Sequence, residues 1–160
     1  MTTKLKYLAG VALVVWATAC KESDVFYSTS YDIVKAEVRI TTQVPETPGE
    51  ETAPSVQEFE LPAGGSYRLD YTRYDGGPLK VRTSADGPEY EGVFLRTPGS
   101  SRITFIYDGK EHAYKLSTYS TADGTRCTLL TADLTDYYRA LYPTAHILQA
   151  ERNEYTTHKE

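Results

Sequence analysis

Cysteine and tryptophan are scarce in this chain of 160 residues, which has two cysteines and one tryptophan. Cys20 and Cys127 cannot form the disulfide framework of a small secreted scaffold, and neither belongs to a CxxC or other metal-binding spacing. We therefore expect a fold stabilised by core packing. We predict no metal site and no cofactor.

Catalytic sequence signatures are also missing. The chain has no GxSxG elbow, no HExxH pair, no phosphate-binding glycine loop and no EF-hand pattern. The histidines, His112, His146 and His158, are more than ten residues apart and fall on different predicted elements. We predict no catalytic residue and a non-enzymatic role.

A small hydrolase is the alternative from another functional class. It would use acid pairs such as Glu89 and Glu91, or Asp70 and Asp75, together with His112. These groups would have to converge in one cleft. Charged residues on the outward face of an antiparallel sheet are the simpler interpretation of such pairs.

A single long apolar run is present, at residues 7–19. Its 13 residues are too few to cross a bilayer, which takes about 20. Lys4 and Lys6 precede the run, and three small residues, 17–19, close it. This arrangement is typical of a secretion signal, so we predict a signal peptide over residues 1–19.

The residue after this signal is Cys20, and small residues followed directly by cysteine resemble a bacterial lipobox. The resemblance implies that the Cys20 thiol is diacylated through a thioether, that Cys20 becomes the first residue of the mature protein after cleavage, and that its amino group is then acylated as well, with palmitate or a similar fatty acid. Two or three acyl chains give stable membrane anchoring. The alternative is an ordinary cleaved signal in which Cys20 is incidental.

Residues 20–31 have the composition of a short tether. Within them, the sequence KESD after Cys20 resembles the export signals that send some lipoproteins to the outer face of the outer membrane. We therefore expect a lipid-anchored protein of the cell envelope, on the outer membrane, either facing the periplasm or exposed at the cell surface. The bland alternative is a few solvated tether residues.

The charge of the mature chain argues against nucleic acid. Removal of residues 1–19 leaves 15 basic against 22 acidic residues, a formal charge of −7. A protein that neutralises phosphates needs the opposite balance. The expected partners are a membrane, through the lipid anchor, and a protein or a glycan.

Most of the remaining chain has the pattern of short strands. In VKAEVRITT, the alternation puts Val34, Ala36, Val38 and Ile40 on one face of a strand. Four Asp-Gly dipeptides, which suit tight hairpin turns, begin at positions 75, 86, 108 and 123. This spacing indicates a sandwich or a barrel, and we predict an all-β antiparallel sandwich, Ig-like or transthyretin-like, within one domain over residues 32–160.

Three segments depart from this pattern. Residues 43–55, rich in proline and glutamate, predict an exposed loop. The sequence DLTDYYRALYP predicts one short helix near the C-terminus, with Asp133 as its N-cap. The last segment, AHILQAERNEYTT, fits a helix or a closing strand, and we favour the strand.

Tyrosine is abundant, with 14 copies. Many of them alternate as core residues should, but tyrosine also supplies contact area and a polar tip at binding surfaces. Tyr74, Tyr90 and Tyr119 lie near predicted turns and are the candidate binding residues. Cys127, beside leucines in a strand pattern, is predicted to be a buried apolar residue.

Four segments together resemble small uncharacterised lipoproteins of Bacteroidetes-type bacteria: CKESDVFYSTSYDIVKAEV, GGSYRLDYTRYDGGPLKVRT, EGVFLR and EYTTH. The resemblance implies an exported, lipid-anchored β-sandwich and no particular substrate. We accordingly expect a binding or structural domain for a protein or glycan. An accessory subunit of a cell-envelope assembly is the alternative.

Overall fold

The computed structural model describes residues 25–43, 48–49 and 53–159. These residues form nine strands and one helix. In chain order they are β1 (Tyr27–Thr42), β2 (Ser55–Leu61), β3 (Ser66–Tyr71), β4 (Gly76–Arg82), β5 (Glu89–Arg96), β6 (Arg102–Tyr107), β7 (Lys110–Ser120), β8 (Arg126–Asp133), α1 (Thr135–Leu141) and β9 (Ile147–His158). None of the described helices is long and apolar enough to span a membrane.

The strands form one closed antiparallel sheet. Each strand from β3 to β8 pairs with the next, and β9 pairs with β1 from Tyr31 to Thr42. The opposite edge of β1 pairs with β3 over its first half and with β2 over its second half. β2 and β3 thus act as one strand interrupted at residues 62–65, and the sheet closes into an eight-stranded barrel.

The predicted sandwich is therefore wrong. Short strands joined by tight turns fit a sandwich and a barrel equally well, and the closing contact decides between them. Here the last segment is a strand, as favoured, and its register runs from Tyr31 opposite His158 to Thr42 opposite Ile147. This long-range pairing leaves no open gap between the first and the last strand.

The predicted helix is present, but its start differs in detail. The N-cap is Leu134 and no side chain caps it. Asp133, predicted to be the cap, instead accepts a hydrogen bond from the backbone N–H of Thr135 at 2.9 Å. Its carboxylate therefore still satisfies one donor of the first turn.

β1 begins at Tyr27, five residues before the predicted start of the domain at residue 32. A register shift between Ile33 and Lys35 marks a β-bulge, which turns Val34 outwards. The alternation predicted from sequence placed Val34 with Ala36, and the bulge makes that placement wrong.

Aromatic side chains fill much of the barrel. The rings of Tyr67 and Phe105 are 4.8 Å apart, and those of Tyr71 and Phe94 are 4.7 Å apart in an edge-to-face contact. Eight strands enclose a space that is just wide enough for packed side chains or one small ligand. In this barrel, side chains take up that space, so the surfaces at its two ends become the places to look for binding.

Candidate functional site

The three candidate tyrosines lie in three different environments. Tyr74, in the β3–β4 turn, is 88% exposed. Tyr90 is half-buried, with its ring 5.8 Å from that of Tyr107. Tyr119 is also half-buried, and its hydroxyl donates a hydrogen bond to the backbone carbonyl of Thr156 at 2.9 Å. The structure does not bring these residues into one site.

Tyr74 belongs to a cluster of aromatic residues at the N-terminal end of β1. Its ring lies 5.4 Å from that of Phe26, and the ring of Tyr27 lies 5.5 Å from that of Tyr71. Val25, Phe26 and Tyr27 are each about half exposed. We call Val25, Phe26, Tyr27 and Tyr74 the N-terminal aromatic patch.

An apolar groove lies beside β2, towards the other end of β1. It encloses about 460 Å³. Val38 and Phe59 are cross-strand partners and so face it together. Its apolar lining comes from β1, β2, α1, the α1–β9 loop and β9: Val38, Ile40, Phe59, Leu61, Tyr138, Tyr142, Ala145 and Ile147. We call this feature the β2 groove.

β2 is also an edge strand. It pairs with β1 along one side, and within the described part of the chain no strand pairs with its other side. β4 continues the sheet beside β3 and does not reach β2. An unpaired edge next to an apolar groove is the arrangement that an added strand from another chain can use.

A charged pair lies on the inward face of β9, with Glu154 completely buried and the Arg152 side chain 39% exposed. The two side chains share one face of the strand because they are two residues apart. Nη2 of Arg152 lies 2.7 Å from Oε1 of Glu154. The hydroxyl of Tyr67 donates to Oε2 of Glu154 at 2.6 Å. Burial, followed by the nearby Glu154 charge, raises the pKa of Tyr67 well above its usual value, so Tyr67 stays protonated as a donor.

Sequence reasoning missed this pair, because ERNE looks like a solvated strand segment. Arg152 and Glu154 share a face through their two-residue spacing, and that face points inwards once β9 closes the barrel.

His112 lies on the inward face of β7 with Tyr114 and Leu116. Its ring stacks on Tyr107 at 4.4 Å between centroids, and Nε2 is buried with no hydrogen-bond partner among the described residues. Burial is the main cause that lowers the pKa of His112. A neutral, stacked imidazole fits this setting.

Two of the acids considered for a hydrolase, Glu89 and Asp75, line surface grooves in the described part of the chain that do not include His112. Each acid has a basic or hydroxyl neighbour of its own: Glu89 has Arg82 at 3.8 Å, Glu91 has Lys80 at 3.9 Å, Asp70 has Ser28 at 2.6 Å and Asp75 has Arg73 at 3.3 Å. In the part of the chain that the structure describes, no three His, Cys, Asp or Glu residues are grouped so as to hold a metal ion.

A second buried acid lies on the outer face, where β1 meets β9. Glu37 is almost completely buried, with Nζ of Lys35 2.8 Å from Oε2 and the hydroxyl of Tyr155 donating to Oε1 at 3.0 Å. The hydrogen bond from Lys35 is the main cause that lowers the pKa of Glu37. The acid therefore links two strands at the seam that closes the barrel.

The structure tests the prediction for only one of the two cysteines. Cys127 is buried, as predicted, and lies opposite Tyr119 in the β7–β8 pair. Cys20, the predicted lipidation site, is outside the described residues.

The β2 groove was not singled out from the sequence. A usable signal was present, because VKAEVRITT and SVQEFEL both alternate and their apolar faces can meet in a hairpin. No protein-family model, curated protein or solved structure matches the chain.

Proposed function

We propose that this chain is an exported, lipid-anchored binding domain that takes a protein partner in the β2 groove. The anchor is Cys20, and the location is the outer membrane of the cell envelope. The role is non-enzymatic.

One observation carries this proposal: the apolar groove lies beside an unpaired strand edge. Backbone groups along the free side of β2 are available to an extended segment of a partner, and they would supply affinity without regard to sequence. Phe59 and Tyr142, each about half exposed, would supply buried apolar area at about 25 cal/mol per Å². This combination favours a protein over a glycan.

The position of the groove agrees with an anchored protein. β1 runs from Tyr27 to Thr42, and 16 residues of strand extend up to about 50 Å. An anchor attached before Tyr27 would hold one end of β1 near the membrane. The β2 groove, at the other end, would then point towards solvent and be accessible to a partner.

An accessory subunit of an envelope assembly would also use the β2 groove and the unpaired edge of β2. In that case β2 would be paired in a lasting complex, which would also protect its edge from unwanted association. A complex with fixed stoichiometry after detergent extraction would favour the subunit, and exchange with free partner would favour a reversible binding domain.

The groove can be tested by a double substitution, Phe59→Ala with Tyr142→Ala, in the membrane-anchored protein. Both side chains line the groove and are about half exposed, so we expect normal folding and a loss of co-purified partner of roughly tenfold or more, as hot-spot truncations give. The matched control is Val93→Ala, because Val93 is comparably exposed on β5 and lies outside the groove. Equal recovery of partner with both variants would contradict the proposal.

A further inference from the structure

The N-terminal aromatic patch is apolar and faces solvent. Tyr74 is almost fully exposed, and Val25, Phe26 and Tyr27 expose about half of their surface. Phe26, Tyr27 and Tyr74 border a shallow groove of about 310 Å³ together with Arg96. A contiguous apolar surface of this kind marks an interaction site more often than scattered single residues do.

The patch is held rigidly on the barrel. The N–H of Phe26 donates to the carbonyl of Tyr71 at 3.1 Å, which pins the chain just before β1. The turn that carries Tyr74 is closed by the N–H of Arg73, which donates to the carbonyl of Gly76 at 3.1 Å. Little ordering entropy would be lost when such a surface binds.

The number of residues before the patch limits what it can face. Val25 is five residues after Cys20, and five residues span at most about 18 Å even when fully extended. If Cys20 is acylated, as the proposed function requires, the patch is confined to the membrane surface. A partner away from the bilayer would have to enter this narrow space.

The chemistry of the patch matches the interfacial layer of a bilayer. Tyrosine and phenylalanine place an apolar ring among the acyl chains, and the tyrosine hydroxyl stays at the level of the headgroups. Arg73 and Arg96 lie beside Tyr74 and can face lipid phosphates, although Asp75 pairs with Arg73 at 3.3 Å and offsets part of its charge. We propose that the N-terminal aromatic patch docks on the lipid surface next to the anchor and fixes the orientation of the barrel.

Single tryptophan reporters test this docking in the full chain. The only tryptophan, Trp16, lies in the predicted signal peptide that precedes Cys20, and Trp16→Phe also removes it from any uncleaved chain, so that each added tryptophan is unique. Tyr74→Trp reports on the patch, and Tyr137→Trp is the control, because Tyr137 is an exposed aromatic residue on α1. The probe is a vesicle of phosphatidylethanolamine and phosphatidylglycerol with bromine-labelled acyl chains, into which the acylated protein is reconstituted.

We expect the tryptophan emission of the Tyr74→Trp variant to shift to the blue and to be quenched by the brominated chains, while the emission of the Tyr137→Trp variant is unchanged. Labelling with radioactive palmitate, with Cys20→Ser as the unlabelled control, separates the two proposals. A protein that is acylated and floats with vesicles, but in which the two reporters behave alike, overturns the docking and leaves the anchor standing. A protein that carries no acyl chain and does not float overturns both.

Discussion

Among the single residues of the core, Glu154 is the unusual one. It is completely buried, and the Tyr67 hydroxyl and the Arg152 guanidinium are the groups that face its two oxygens. Breaking a buried charged network by removing one partner leaves the other partner with its full desolvation cost. The contribution of Glu154, Tyr67 or Arg152 to stability therefore depends on the presence of the other two residues.

Tyr67→Phe tests this role of the network. The substitution removes one hydroxyl from a buried hydrogen bond to an acid, and we expect the free energy of unfolding to fall by about 1–3 kcal/mol. Urea denaturation measures the change. Tyr71→Phe is the matched control, since the Tyr71 hydroxyl makes only a long contact of 3.4 Å with Arg96. An equal loss in the two variants would mean that the Glu154 network contributes nothing specific.

Among the elements, β1 and β9 form the seam that closes the barrel, and Glu37 stabilises it. The pKa of Glu37 is lowered in the folded state, so its contribution is fully present above the usual carboxyl pKa and is lost as the pH falls through the folded value. The seam should therefore weaken in acid.

Glu37→Gln should remove this pH dependence. We expect the variant to be less stable than the wild type at about pH 7, and the difference to shrink as the pH falls towards about 3. Thermal melting across that range measures it. Glu91→Gln is the control, because the Glu91 side chain is 80% exposed and its ion pair with Lys80 contributes little. A constant difference between wild type and Glu37→Gln at all pH values would contradict the role of the seam.

Local patterns predicted elements well and their assembly poorly. The Asp108-Gly109 turn has positive φ at both residues, as a two-residue hairpin turn needs, and Tyr107 pairs with Lys110 as expected. The bulge at Val34 and the β1–β9 closure depend on contacts between distant parts of the chain. The alternation within a single strand predicts neither the bulge nor the closure. The same strands are therefore consistent with a sandwich and with a barrel, and the predicted sandwich was the wrong arrangement.

The same limit applies to the candidate site. Tyr74 could be identified because a turn position exposes its side chain. Tyr90 and Tyr119 also follow or precede turns, yet the ring of Tyr107 on neighbouring β6 packs against Tyr90, the ring of Tyr155 on β9 packs against Tyr119, and both are half-buried. The β2 groove needs β1, β2, α1 and β9 together, and no single segment contains it.

The molecule as a whole is a barrel with two different ends. The N-terminal aromatic patch lies at the start of β1, near the proposed anchor at Cys20. The β2 groove lies at the far end of β1 with an open strand edge. Between them, a core filled by aromatic side chains and one charged pair holds the two surfaces at a fixed separation.

Site-specific photo-crosslinking on intact cells can show whether the β2 groove binds a protein partner. A photoreactive amino acid replaces Phe59 in one protein and Val93 in the control, so that both reporters are comparably exposed but only the first lines the groove. We predict a discrete crosslinked protein from position 59 and none from position 93. The absence of a crosslink at both positions, or the same crosslinked species from both, would contradict the proposed function.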